Sequence, residues 1–145
     1  MKINDILRED WEQDPGYDYE NPLPHSNDEW IWDFMEEIED EYKEHYDVQM
    51  KPKDIADNYG KVMNVPISNI IATEKWLKRE QIDAILSNTA TSSSDLPIFY
   101  YEDGKYVAGD GNHRIVAAYL NKERAIKGQV LSLEFLEDLK ENSKK

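Results

Sequence analysis

Between an apolar, strand-like run and an apolar, helix-like run the chain reads VAGDGNHRI at residues 107–115. A turn there needs the glycines but not an acid, a histidine and an arginine. A helix that begins near Asn112 leaves the backbone N–H groups of its first turn without intrahelical partners. The aligned peptide dipoles put partial positive charge at that end, so it attracts anions. Gly109 and Gly111 let a ligand approach the backbone closely, Arg114 offers a bidentate donor to phosphate oxygens, and His113 can donate or accept near neutral pH. Asp110 does not belong in a pure anion site. Beside a phosphate, a carboxylate either helps hold Mg2+ or takes the proton of an attacking hydroxyl. One reading is therefore a phosphate cradle of Gly109, Gly111, Asn112, His113 and Arg114 with Asp110 as its acidic member. The same residues also fit ordinary turn chemistry, in which Asp110 or Asn112 caps the helix, His113 packs and Arg114 is solvated. Spacing alone does not choose, because short glycine motifs recur by chance.

The elements that must position this stretch alternate in type. KVMNVPI (61–67) reads as a strand and TEKWLKREQIDAILSN (73–88) as a helix with Trp76, Leu77, Ile82, Ile85 and Leu86 on its apolar side. TATSSSD (89–95) is a polar loop. PIFYY and KYVA flank Glu102-Asp103-Gly104, a hairpin signal. NHRIVAAYLN, AIKGQVLSL and SLEFLEDLKEN then read as helix, strand and helix. Alternation of this kind predicts an α/β (α+β) layer, a small mixed sheet with helices. Upstream, INDILREDW allows a short helix, followed by an irregular arm with four Pro/Gly residues and the aromatics Trp11, Tyr17 and Tyr19. Ser26 and Glu29 have capping-box spacing, and Trp30, Phe34, Ile38, Tyr42 and Tyr46 recur every fourth residue beside Ile31 and Met35. They predict an amphipathic helix over 27–46 with that stripe toward the core. PKDIADNY predicts a second helix, with Pro52 in its first turn and Gly60 at its C-terminal end. The expected division is an acidic, mainly helical extension over 1–60 packed on a domain over 61–145.

The ordered set VPISNI, REQIDAILSN, LPIFYYEDGKYVAGDGNHRIVAAYLNK and QVLSL resembles the ParB/sulfiredoxin superfamily over about residues 62–133. Its most specific element, DGNHR, is similar to the D-G-x-H-R signature that binds nucleotide phosphates there. Sulfiredoxins need a cysteine just before the His-Arg pair; Asn112 stands in that place and the chain has no cysteine, which excludes that activity. Partition-type ParB proteins carry a further helix-turn-helix region, and little chain remains after residue 133 to form one. The remaining branch, the free serine kinases, carries a catalytic glutamate in a Pro-His-Glu type segment, followed by an Arg-Glu pair. Ala72-Thr73-Glu74 and Arg79-Glu80 align with these without a gap. The resemblance thus implies Glu74 as general base, Asp110 and His113 as further catalytic groups, and Gly109, Gly111, Asn112, His113 and Arg114 as the phosphate site. ATP or ADP, with CTP as an alternative, would be the nucleotide. Mg2+ would be held by Asp110 through phosphate, and a small hydroxyl-bearing molecule would be the acceptor. Asn112 and Thr73 stand where histidines are common in that branch, and its substrate-holding part has no counterpart here. Without the resemblance, Glu74 reads equally as a first-turn acid behind a Thr73 helix cap.

At 145 residues, 39% hydrophobic and 33% charged, the chain suffices for one domain with a core and an appendage. It has no apolar run of membrane-spanning length and no apolar segment of signal-peptide type, so the expected location is cytoplasmic and no membrane partner is expected. The formal net charge of −14 arises within residues 1–60, which hold 19 Asp and Glu against 5 Lys and Arg. Such a field argues against non-specific DNA binding and admits a basic protein partner for residues 27–46. Glu36, Glu37, Glu39, Asp40, Glu41 and Glu44 are expected on solvated faces. The expected function is a nucleotide-dependent phosphotransferase or phosphohydrolase. The alternatives are a non-catalytic regulatory or interaction protein that acts through the acidic extension, and a ParB-like nuclease, against which the absence of a basic stripe argues.

Overall fold

The computed structural model describes residues 16–26, 29–46, 51–87 and 96–143. The expected helix around INDILREDW, Trp11 and the loop 89–95 lie outside the described residues. A two-residue strand β1 (Tyr19–Glu20) precedes helices α1 (Glu29–Tyr46) and α2 (Pro52–Tyr59). Strands β2 (Lys61–Pro66), β3 (Ile70–Ile71) and β4 (Trp76–Leu77) lead to α3 (Arg79–Leu86), and the hairpin β5 (Ile98–Glu102) and β6 (Lys105–Asp110) leads to α4 (Asn112–Leu120). Strand β7 (Ala125–Leu131) and α5 (Leu133–Ser143) close the described chain.

Five strands form one mixed sheet in the order β2-β7-β5-β6-β3. β2 runs antiparallel to β7 and β5 to β6, whereas β5 is parallel to β7 and β3 to β6. This is the mixed sheet with helices that the alternation of elements predicts. The strands β5 and β6 bury residues on both sides, because helices cover both faces there. Phe99, Ala108 and Val130 face a layer containing Ile82 of α3 and Ile115 and Val116 of α4. Ile98, Tyr100, Val107 and Leu131, one residue out of phase, face Ile31, Met35, Ile38 and Tyr42 of α1, Ile55 of α2 and Leu136 of α5. The acidic helices therefore share a core with the sheet rather than resting on it.

Two expectations need correction. The buried stripe of α1 is Ile31, Met35, Ile38 and Tyr42, so the helix is rotated from the fourth-residue series. Trp30 is 51% exposed and Phe34 is only half-buried, because the helix turns Ile31, Met35, Ile38 and Tyr42 toward the sheet and so carries positions 30 and 34 toward the rim. Likewise Thr73 does not open a helix. α3 begins at Arg79, and Trp76–Leu77 is extended because it pairs with β1, with Tyr19 opposite Leu77 and Glu20 opposite Trp76. Tertiary pairing here overrides a helix-like local pattern.

Candidate functional site

Strand β6 ends at Asp110, and the chain turns at Gly111 with φ of 86° before α4 begins. A Cβ on Gly111 would lie 2.9 Å from the Pro97 Cβ and 3.0 Å from the Pro97 Cα, so space as well as conformation requires glycine. At Gly109 a Cβ would meet the Tyr100 ring at 2.4 Å. No side chain caps α4 at Gly111, and the first intrahelical donor is the Ile115 N–H, which reaches the Gly111 carbonyl at 3.0 Å. The N–H groups of Asn112, His113 and Arg114 thus stand at the positive end of a nine-residue helix. The Gly111 N–H is taken by Asp110, whose Oδ1 accepts it at 2.8 Å. This bond orients the carboxylate along the turn and leaves its other oxygen for a ligand.

The remaining motif residues divide by burial. The Asn112 side chain is buried, and its Oδ1 has no hydrogen-bond partner among the described residues, so an amide acceptor lies in the first turn of the helix. Arg114 is half-buried and makes no ion pair among the described residues. His113 is half-buried, and its Nε2 accepts the Lys78 N–H at 3.0 Å. Burial, and then the Lys78 charge, lowers its pKa from the ordinary 6.5. His113 is therefore neutral at physiological pH, with its proton on Nδ1, and Nε2 is committed to joining α4 to the start of α3.

Glu74 enters from a distant part of the sequence. The Thr73 hydroxyl donates to the Ala108 carbonyl at 2.6 Å, which fastens the residue before Glu74 to the strand that ends in the glycine turn. Glu74 lies in the loop between β3 and β4, not in a helix. Although the residue reaches solvent, protein packed around its carboxyl strips part of its hydration, and the like charge of Asp110 acts in the same direction. Together they raise its pKa above the ordinary 4.5. The structure thus brings Glu74, Asp110, His113 and Lys78 to one end of the sheet. Arg79 and Glu80, the pair named by the resemblance, open α3. The Arg79 Nε is paired with Asp83 at 2.9 Å and Glu80 is exposed.

A Mg2+ ion takes oxygen ligands, and usually one or two carboxylates plus substrate phosphates hold it. Asp110 supplies hard oxygens of that kind, and no group of three or more His, Cys, Asp or Glu among the described residues forms a cage independent of substrate. The residues present fit an ion that arrives with a phosphate.

Several residues around the site carry no sequence signal. The Lys78 Nζ lies 4.9 Å from the centre of the Tyr17 ring, and Arg79 lies 5.1 Å from that of Tyr19. Asp18 Oδ1 accepts the Arg79 N–H at 3.0 Å, and the buried Asn21 donates to the Glu74 carbonyl. On the other sheet face the Tyr100 hydroxyl donates to Glu39, so this acid, expected in solvent with its neighbours, is tied below the glycine turn. Burial and Glu39 together raise the Tyr100 pKa far above the ordinary phenol range, which keeps it a donor. An arm of prolines and aromatics has no period from which such contacts could be read.

No family model matches the sequence, and no curated protein matches it. Among solved structures, the chain is similar to sulfiredoxin from Arabidopsis thaliana, with 14% sequence identity and a TM-score of 0.40 over 54% of this chain and 94% of that one. No helix among the described residues is long and apolar enough to cross a membrane.

Proposed function

We propose that the protein is a nucleotide-dependent phosphotransferase, or a phosphohydrolase where water is the acceptor, with its phosphate site at the N-terminus of α4. The observation that carries this reading is the convergence of Glu74 and Asp110, two carboxylates 36 positions apart of which Asp110 disfavours the charge of Glu74, beside unpartnered N–H groups and Arg114. Backbone N–H groups of 112–114 and the Arg114 guanidinium would hold the nucleotide phosphates, with ATP or ADP as donor and CTP as the alternative. The Nδ1–H of neutral His113 adds one more donor. Glu74 takes the proton of the acceptor hydroxyl as its oxygen bonds to the terminal phosphorus. The bond from that phosphorus to the bridging oxygen breaks, its electron pair leaves with the shortened nucleotide, and Glu74 then releases its proton to water. Mg2+ held by Asp110 and the phosphates would supply charge neutralisation at the transferring group. Calorimetric titration of ATP and ADP with Mg2+ is expected to show binding that falls at least tenfold in Arg114→Ala, since a bidentate charged contact is removed. Equal affinity in the variant contradicts the cradle.

One observation favours a second reading, a basic-partner surface on the acidic extension. Trp30 and Phe34, with ring centroids 6.4 Å apart, form a pocket of about 170 Å³ with Glu102, Asp103, Lys105 and Val107. Aromatic faces beside carboxylates suit a basic side chain. In this reading an arginine-rich peptide binds with an affinity that Arg114→Ala leaves unchanged and Trp30→Ala weakens several-fold; the reverse pattern contradicts it.

A further inference from the structure

The Glu74 loop owes its position to a segment more than 50 residues away in sequence. Residues 19–26 run along 72–77. Tyr19 and Glu20 pair with Leu77 and Trp76, the Asn21 N–H donates to the Lys75 carbonyl at 2.7 Å, the Ala72 N–H donates to the Pro24 carbonyl at 2.8 Å, and the Ser26 N–H donates to the Ala72 carbonyl at 3.2 Å. Within this clasp Asn21 is 2% exposed and uses both ends of its amide. Its Nδ2 donates to the Glu74 carbonyl at 3.0 Å and its Oδ1 accepts the Leu23 N–H at 2.9 Å. Asn21 therefore holds the Glu74 peptide from one side while Thr73 holds the preceding residue to β6 from the other. A buried amide with both ends satisfied has one orientation, because any other leaves polar atoms without partners.

We propose that Asn21 is the positioning residue for Glu74, and that the N-terminal arm is thereby a working part of the site rather than a covering of the core. This inference rests on the phosphotransfer reading and deepens it. A general base on a loop delivers rate only if its carboxylate is held within hydrogen-bond reach of the hydroxyl, and a displacement of about 1 Å can lower the rate on the order of 100-fold. Among the described residues, the hydrogen bonds of Asn21 and of residues 19–26 go to 72–77 and to one another and not to the first turn of α4, so nucleotide affinity is expected to survive their loss.

The test is Asn21→Asp in the full chain, assayed for phosphoryl transfer beside the wild type and Asn21→Ala. Asn21→Asp keeps the acceptor for the Leu23 N–H and replaces the donor to Glu74 by an oxygen. The expected result is a kcat lower by about 10- to 100-fold with the nucleotide KM within about twofold. A purely structural role instead lowers thermal stability and leaves the kcat of the folded fraction unchanged, which overturns the proposal. Hydrogen exchange of the wild type keeps it falsifiable if both variants fail to fold. The amides of Asn21 and Ala72 are expected to exchange slowly, and exchange at open-chain rates overturns a docked arm. A wild type without turnover defeats the phosphotransfer reading itself. An active wild type with unchanged kcat in Asn21→Asp defeats only the positioning role.

Discussion

Glu74→Gln is expected to lower phosphoryl transfer by about 100- to 10,000-fold, the range that a positioned general base contributes, while nucleotide affinity stays close to that of the wild type. The amide keeps the shape of the side chain and cannot take the hydroxyl proton. The same substitution should not destabilise the fold near neutral pH. The folded pKa of Glu74 is raised above 4.5, so the folded state favours its protonated form. The stability that this preference contributes is complete below the unfolded pKa and is lost as pH rises through the folded value. At neutral pH the carboxylate is an ionised group that the fold disfavours, and a neutral amide relieves it. Loss of rate with equal or greater thermal stability marks a residue kept for chemistry. The raised pKa also sets the acid limb of the wild-type rate profile. The rate should fall as pH drops through a midpoint above 4.5, and a limb at or below that value contradicts Glu74 as the base.

Gly111→Ala is expected to destabilise the fold through backbone strain and overpacking together. An L-residue at φ of 86° costs roughly 1–2 kcal/mol in backbone strain. The new methyl would also meet Pro97, including its Cα at 3.0 Å, and overpacking of this kind costs about 1–3 kcal/mol. The expected loss is about 2–5 kcal/mol, or a fall in Tm of roughly 5–20 °C for a chain of this size. Gly104 separates the two contributions. Its φ of 79° is similar, but nothing lies within 4 Å of its would-be Cβ, so Gly104→Ala should show only the conformational part. Thermal melts of the two variants check this. Equal losses would show that Pro97 yields, and that the turn before α4 is softer than its contacts imply.

The sheet and its helices were legible because both-face burial leaves a continuous apolar run in β5 and a turn signal at Asp103-Gly104, and because α4 and α5 carry helical spacing. The glycine turn and the helix behind it could be placed from the letters alone. What could not be read was the segment from Thr73 to Lys78. Its residues have helical spacing, yet it is extended because Tyr19 and Glu20 supply a partner strand and Thr73 bonds Ala108. No periodicity encodes a pairing between segments more than 50 positions apart, and Asn21, between Glu20 and Pro22, looks like any loop residue. The rotation of α1 about its axis escaped for a related reason. Tryptophan and phenylalanine outrank isoleucine and methionine by size, but the helix buries Ile31 and Met35 and leaves Trp30 outside. The place of His113 in the first turn of α4 could be read, but not that its Nε2 is already bonded, since the Lys78 amide comes from that same unread segment.

Phosphorus NMR of the purified protein with Mg2+ and ATP or ADP, with and without free L-serine, beside Glu74→Gln, tests the central claim most directly. The account predicts a new phosphomonoester or free phosphate signal in the wild type that is absent in Glu74→Gln, with nucleotide resonances broadened in both. Nucleotide signals that neither broaden nor turn over in the wild type, or turnover that survives in Glu74→Gln, would contradict it.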